Sequence, residues 1–300
     1  MNDPIPTRAP VHVRDRYAIA NYIENELDPV RDHEEIVYLV GAYEYPWLLR
    51  KSLEFALFRT YGVPHTSRIL QATGQFASHG QQRYDDTTLM LAGIAEHGYD
   101  SEYGQAAIAN MNRLHGRYNI RNEDMLYVLS TFVFEPIRWH DQFGWRKPTQ
   151  KERLANFIFW REIGKRMGIR DIPEDIDAYE AFNVAHEAEY FRYDPANHAI
   201  GEATVRIFLN WYPRPLWPLI REVIYSFLDD RLLAAFGFPK PHGIIRWGVR
   251  SGLRLLAAIL RRMPPREKPF HYTEVPTRTY GAHFDVRQLG PRDVPAQAGD

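Results

Sequence analysis

The chain has 300 residues, of which 45% are hydrophobic and 14% aromatic, with 37 basic against 38 acidic side chains. That much apolar surface can bury a large core and, with an ordinary 25% charged fraction, argues against global disorder, while the near-zero net charge gives no overall attraction to nucleic acid. The absence of cysteine excludes iron–sulfur clusters, zinc–thiolate sites and disulfide scaffolds.

Residues 1–13 are polar and proline-containing and predict a flexible N-terminal arm without the apolar core of a signal peptide. No apolar run approaches the roughly 20 residues of a membrane span, so a cytoplasmic location is the expectation. Over 14–263 helical periodicity is interrupted by proline and glycine, with no strand alternation or hairpin signature, which predicts one all-α helical-bundle domain. Ser101 and Glu102 open a helix that ends near His115-Gly116. Asn122, followed by Glu123 and Asp124, caps the next, which Pro136 is expected to end. Thr149 and Glu152 form a capping box and Gly168 supplies a stop, giving a helix over about 150–167, and Pro173 suits a first helical position. The segment 243–262 is a basic amphipathic helix with Arg246, Arg250 and Arg254 four apart. It can lie on an anionic membrane or be an ordinary helix with arginines facing water. Residues 264–300 lose periodicity and predict an extended C-terminal tail.

Several chemistries are missing. There is no dinucleotide fingerprint, P-loop, nucleophile elbow or H-E-x-x-H. None of the twelve histidines follows a Glu by three residues, so the ferritin-like di-iron bundle fails on spacing.

The informative stretch is 83–116. Arg83 and Thr87 share a helical face with Met90, Leu91 and Ile94, so a guanidinium and a hydroxyl lie at one end of an apolar stripe. Such an Arg either pairs with a carboxylate or helix terminus, or serves a site. On the next helix Ile108, Met111 and His115 share a face beside Leu114. His115 is either a hydrogen-bonded core residue or a ligand, and the following Gly116 would let a flat macrocycle approach the backbone.

The R-x-x-D-T run at Arg83–Thr87, followed by N-R-L-H at 112–115, resembles the oxygenase family of latex-clearing rubber oxygenases and MpaB enzymes. NEDMLYVLSTFVFEPIRW, FGWRKPTQKERLANFIFWREIGKRMGI and RPLWPLIREVIYSFLDDRLLAAFGFPKP extend the likeness over about residues 40–270, toward the MpaB branch. The resemblance implies a helical domain enclosing one haem b, with His115 as proximal iron ligand. Arg83, Thr87 and Gly116 would also contact the cofactor, and Arg83 and Thr87 would act on the distal side. The Lys that precedes the Thr in rubber oxygenases is Asp86 here, which removes lysine capping. The upstream Glu base of rubber oxygenases has no match between Glu54 and Asp85, so that base is either missing or comes from elsewhere, with Asp86 and Asp85 as candidate substitutes.

The implied activity is oxidative cleavage of a carbon–carbon double bond in a hydrophobic, isoprenoid or lipid-like small molecule, with dioxygen as co-substrate. The haem would carry the difficult step while the protein excludes water and stabilises developing charge. The rivals are a haem protein that senses or stores a diatomic ligand and a helical membrane-surface protein without haem. No nucleic-acid partner is expected, peripheral membrane contact would run through 243–262, and the sequence sets no oligomeric state. His140 and His186 are expected to be structural, Arg138 and Arg146 are candidate propionate partners, and Tyr127, Trp139, Trp145 and Trp160 are expected in the core.

Overall fold

A computed structural model describes residues 3–281 and 283–291. Its described residues form thirteen α-helices and no strand, arranged as a single all-α domain.

The first layer is α1 (Ala18–Glu26), α2 (His33–Tyr38) and a π-helical turn over Leu39–Glu44, which bury Ile19, Ile23, Ile36 and Leu39 together. Next come α3 (Pro46–Thr60), α4 (Pro64–Ala72) and α5 (Gln75–His97), the last starting after a left-handed Gly74 and bent at His79. The hairpin partner of α5 is α6 (Glu102–His115), whose N-cap Ser101 accepts from the Gly104 amide at 2.9 Å. Two long core helices follow, α7 (Asn122–Phe143) and α8 (Gln150–Arg166). The chain continues through α9 (Ile176–Tyr190), α10 (Pro195–Leu209), α11 (Trp217–Phe227), α12 (Asp230–Phe236) and α13 (Gly243–Leu260).

The Thr149–Glu152 capping box forms in full, and Gly168 ends α8 with φ of 74°. Two expected boundaries fail. Pro136 does not end α7, which runs seven residues further. The proline removes one helical hydrogen bond, costing on the order of 3 kcal/mol. Packing outweighs this, because α7 lies along α3 and buries Tyr127, Phe134 and most of its length. Nor is Asn122 the cap, since Arg121 occupies that position and Asn122 instead binds the Arg170 backbone. Pro173 precedes its helix, which Asp175 caps through the Ala178 amide.

The chain beyond α13 is tied to the body. Phe270 N donates to Ala42 O at 2.9 Å, Thr279 N to Asp85 at 2.8 Å, and Asn110 Nδ2 to both Val286 O and Leu289 O at 2.8 Å. Val286 and Leu289 are buried in the core shared by α5, α6, α7 and α8. Near the other end, Thr7 donates to Glu35 and Ile5 N to Glu96 O.

Candidate active site

The α5–α6 hairpin determines which residues meet. Tyr103 lays its ring over Gly93, where any Cβ would fall 1.9 Å from it, and donates to Leu89 O at 3.0 Å. Further along α6, Asn110 reaches Met90. A link of only four residues, 98–101, folds α6 back antiparallel against α5. The start of α5 therefore lies level with the end of α6, which brings Arg83 and Thr87 beside Met111 and His115.

These four residues line one interior cavity of about 380 Å³, within the range of small-molecule and cofactor sites. Met90, Leu91, Leu114, Phe132, Trp160 and Ile207 supply much of its apolar wall. His115 has accessible surface, yet burial is the first cause of its lowered pKa, and the Arg83 charge is the second. That surface includes the part of His115 that lines the cavity. The imidazole is held neutral at pH 7, the state that can donate a lone pair. Among the described residues its ring has no hydrogen-bond partner.

The Arg83 guanidinium is also lightly committed. Its ion pair is with Asp86 at 3.7 Å, beyond hydrogen-bond distance, and its charge reaches both His115 and Tyr61, another wall residue. Thr88 returns its hydroxyl to Tyr84 O at 2.8 Å, as helical threonines commonly do. Thr87 has no such bond, so its hydroxyl on the wall is free among the described residues.

Asp86 stands elsewhere. It is fully buried but absent from the wall, with Oδ1 accepting from Tyr280 at 2.5 Å. Burial raises its pKa, against the opposing pull of Tyr280 and Arg83. Asp85 likewise binds Gln81 and the Thr279 amide. The pair anchors the C-terminal segment behind α5 and does not present a base to the cavity. Gly116 is not on the wall either, and its φ of −63° is ordinary helical geometry.

Arg138 and Arg146 do not reach the cavity. Arg138 binds Glu135 at 2.9 Å and Asn183 at 2.8 Å, and Arg146 is clamped by Glu44 and Glu152. His140 is buried against Tyr45 at 4.5 Å between ring centroids, and burial pushes its pKa down to about 3. His186 stacks on Tyr127 at 4.4 Å. Tyr127, Trp139, Trp145 and Trp160 are all buried, and Trp160 also stacks on Phe132 at the wall.

Sequence reasoning missed Glu54. This buried carboxylate on α3 faces the same cavity, accepting from Lys51 at 2.7 Å and Tyr84 at 2.5 Å. In the sequence it stands four residues after Arg50 and three after Lys51, a spacing that reads as an ordinary helix-surface ion pair.

Among the described residues no three His, Asp or Glu side chains converge as a protein-only metal site requires, whereas a macrocycle-held iron needs one axial ligand from the chain. His115 fits that role in donor type, protonation state and freedom from other partners. The all-helical body thus holds a largely apolar cavity with a neutral imidazole, the Arg83 guanidinium and the Thr87 hydroxyl among its wall groups. The chain belongs to the family described as "ER-bound oxygenase mpaB/B'/Rubber oxygenase, catalytic domain", whose model matches residues 56–262. It is 29% identical over 216 residues to ER-bound oxygenase mpaB' of Penicillium brevicompactum, covering 66% of this chain and 51% of that protein. ER-bound oxygenase mpaB of the same organism is 30% identical over 219 residues, 66% of this chain and 56% of that one. The mpaB protein of Penicillium roqueforti (strain FM164) is 29% identical over 210 residues, 64% of this chain and 70% of its own. The chain thus spans about half the length of the first two relatives.

Proposed function

We propose that this protein is a haem-b-dependent oxygenase that cleaves a carbon–carbon double bond in a hydrophobic, isoprenoid or lipid-like substrate. The observation that carries the reading is the unpartnered, neutral His115 facing Arg83 and Thr87 within one apolar cavity. Its family membership supports the oxygenase class.

In this reading His115 would hold the haem, and Arg83 and Thr87 would supply a positive charge and a hydroxyl donor to the same cavity. Bound haem supplies the iron chemistry that activates dioxygen. The chain's own contribution is positional and electrostatic. Arg83 sets a fixed positive charge over the chamber, Asp86 steadies it from behind, and Thr87 Oγ1 offers a donor already freed from its helix. Preorganised donors of this kind favour charge that develops during reaction without having to reorient. The apolar wall excludes water and accommodates an alkene. Tyr84 keeps its proton, since burial and the Glu54 charge both raise its pKa. At the other end of that bond Glu54 Oε1 is the acceptor.

The test begins with the purified protein from haem-replete cells. A pyridine haemochrome spectrum of haem b is expected from the wild type, with most haem lost in His115→Ala while the far-ultraviolet helical signal persists. Dioxygen uptake on adding isoprenoid alkenes, with carbonyl products, is then expected. A colourless wild type, or a variant with full haem and unchanged axial-ligand spectra, would overturn the assignment of His115. Bound haem with no alkene-dependent dioxygen uptake would favour the ligand-sensing alternative.

A further inference from the structure

The outer face of α13 is apolar, and its inner face holds two of its arginines. Ile244, Trp247, Ser251, Leu255, Ile259 and Arg262 recur at three- and four-residue steps and form one stripe along the helix. Ile244 is 83% exposed, Trp247 71% and Leu255 63%. Ala257 is the one fully buried residue of the helix. On that inward side Arg246 binds Asp230 at 2.8 Å and Leu228 O at 3.2 Å, and Arg250 Nε is sequestered from solvent. The expectation that Arg246, Arg250 and Arg254 together face outward is therefore corrected: of the three, only Arg254 is solvent-exposed.

Exposed apolar stripes of this length are uncommon on soluble surfaces and mark contact sites. The charge around this one says what it contacts. Arg254, Arg261, Arg262 and Arg266 are exposed, and between Asp230 and Glu267 the chain carries no acidic residue. A second copy docking through the same face would bring arginines together with no carboxylate on the helix to answer them. An anionic bilayer meets both demands, taking Ile, Leu and Trp into the headgroup–acyl boundary while its phosphates pair with the arginines.

We propose that α13 docks this protein on an anionic lipid surface through Ile244, Trp247, Leu255 and Ile259, with Arg254 and Arg262 flanking the contact. The contact lies in the plane of the membrane, since no helix among the described residues is long and apolar enough to cross one. It stands independently of the chemistry in the cavity.

The test is co-sedimentation of the full chain with phosphatidylcholine vesicles, with and without phosphatidylserine. Wild type is expected to bind the phosphatidylserine vesicles. The double variant Trp247→Ser, Leu255→Ser should weaken that binding at least about tenfold, because two exposed side chains lose apolar burial. Arg254→Gln with Arg262→Gln should weaken it by about 30-fold, near fivefold per charge, and flatten its salt dependence. Arg246→Gln, on the inner face, should leave it little changed, which separates this contact from a merely basic helix. The substituted outer residues are exposed, so thermal midpoints report whether each variant remains folded. Absence of wild-type binding, or equal binding by the folded apolar variant, would overturn the proposal. So would a concentration-dependent dimer that Trp247→Ser abolishes, which would assign the face to a second copy.

Discussion

At Arg83 and Thr87 helix α5 places a guanidinium, held by the Asp86 ion pair alone among the described residues, and an unbonded hydroxyl on a largely apolar wall. If they serve reaction, their removal should cost turnover more than cofactor affinity. Arg83→Ala and Thr87→Ala are each expected to retain near-normal haem and lose roughly a hundred- to a thousandfold in turnover, the loss typical of one preorganised donor. Haem occupancy, thermal midpoint and turnover on the same preparations separate this from a structural role. Collapse of haem and stability in Arg83→Ala, with activity per bound haem unchanged, would remove the distal assignment. The sequence placed Arg83, Thr87 and His115 on suitable helix faces, and the hairpin brings them together because both helices border a four-residue link, 98–101. It could not place Glu54, which reaches the cavity from α3 by tertiary packing alone. Asp86 misled for the opposite reason: three residues from Arg83 on one helix, it still turns to the C-terminal segment. Adjacency on a helix fixes a face only to within the width of that face.

Helix ends carrying their own hydrogen-bonding chemistry were legible, as at Ser101 and the Thr149–Glu152 box. Those depending on burial were not, as at Pro136, where α7 is held by neighbours that no local pattern reveals. The segment after α13 is the clearest case. Nothing periodic in it announces a role, yet its backbone carbonyls accept from buried Asn110 and its Tyr280 donates to Oδ1 of buried Asp86. It spans the two helices that carry Arg83 and His115, so it couples the site to the rest of the fold. Tyr280→Phe leaves Asp86 Oδ1 without that donor and is expected to lower stability by about 1–3 kcal/mol, the cost of stranding a buried polar group. Asn110→Ala removes both anchoring bonds and some packing, and should cost at least as much. Urea unfolding of the two variants checks this, and midpoints equal to wild type would show that the segment contributes nothing to the body it crosses.

Across the whole molecule, burial depresses the pKa of His97, His115, His140 and His186. For each, the folded state binds its proton later than the unfolded chain does on acidification. Stability is therefore intact above the unfolded histidine value near 6.5 and falls as pH drops below it. Glu34, Glu44, Asp86 and Glu96, raised by burial, act in the other sense. Their folded forms hold protons more tightly, so they favour the native state as pH falls through their raised values. His140 isolates the first effect, because its folded value of about 3 lies far below the test range and it is not among the residues of the cavity wall. At pH 5 an unfolded imidazole is mostly charged while this one is not, a difference worth about 2 kcal/mol against the native state. In His140→Phe, which keeps a ring against Tyr45 and cannot acquire charge, the stability lost between pH 7.5 and pH 5 should shrink by about that amount. Urea midpoints measured at both values provide the comparison. An identical acid loss in wild type and variant would mean that water or a local opening reaches His140 before the molecule unfolds.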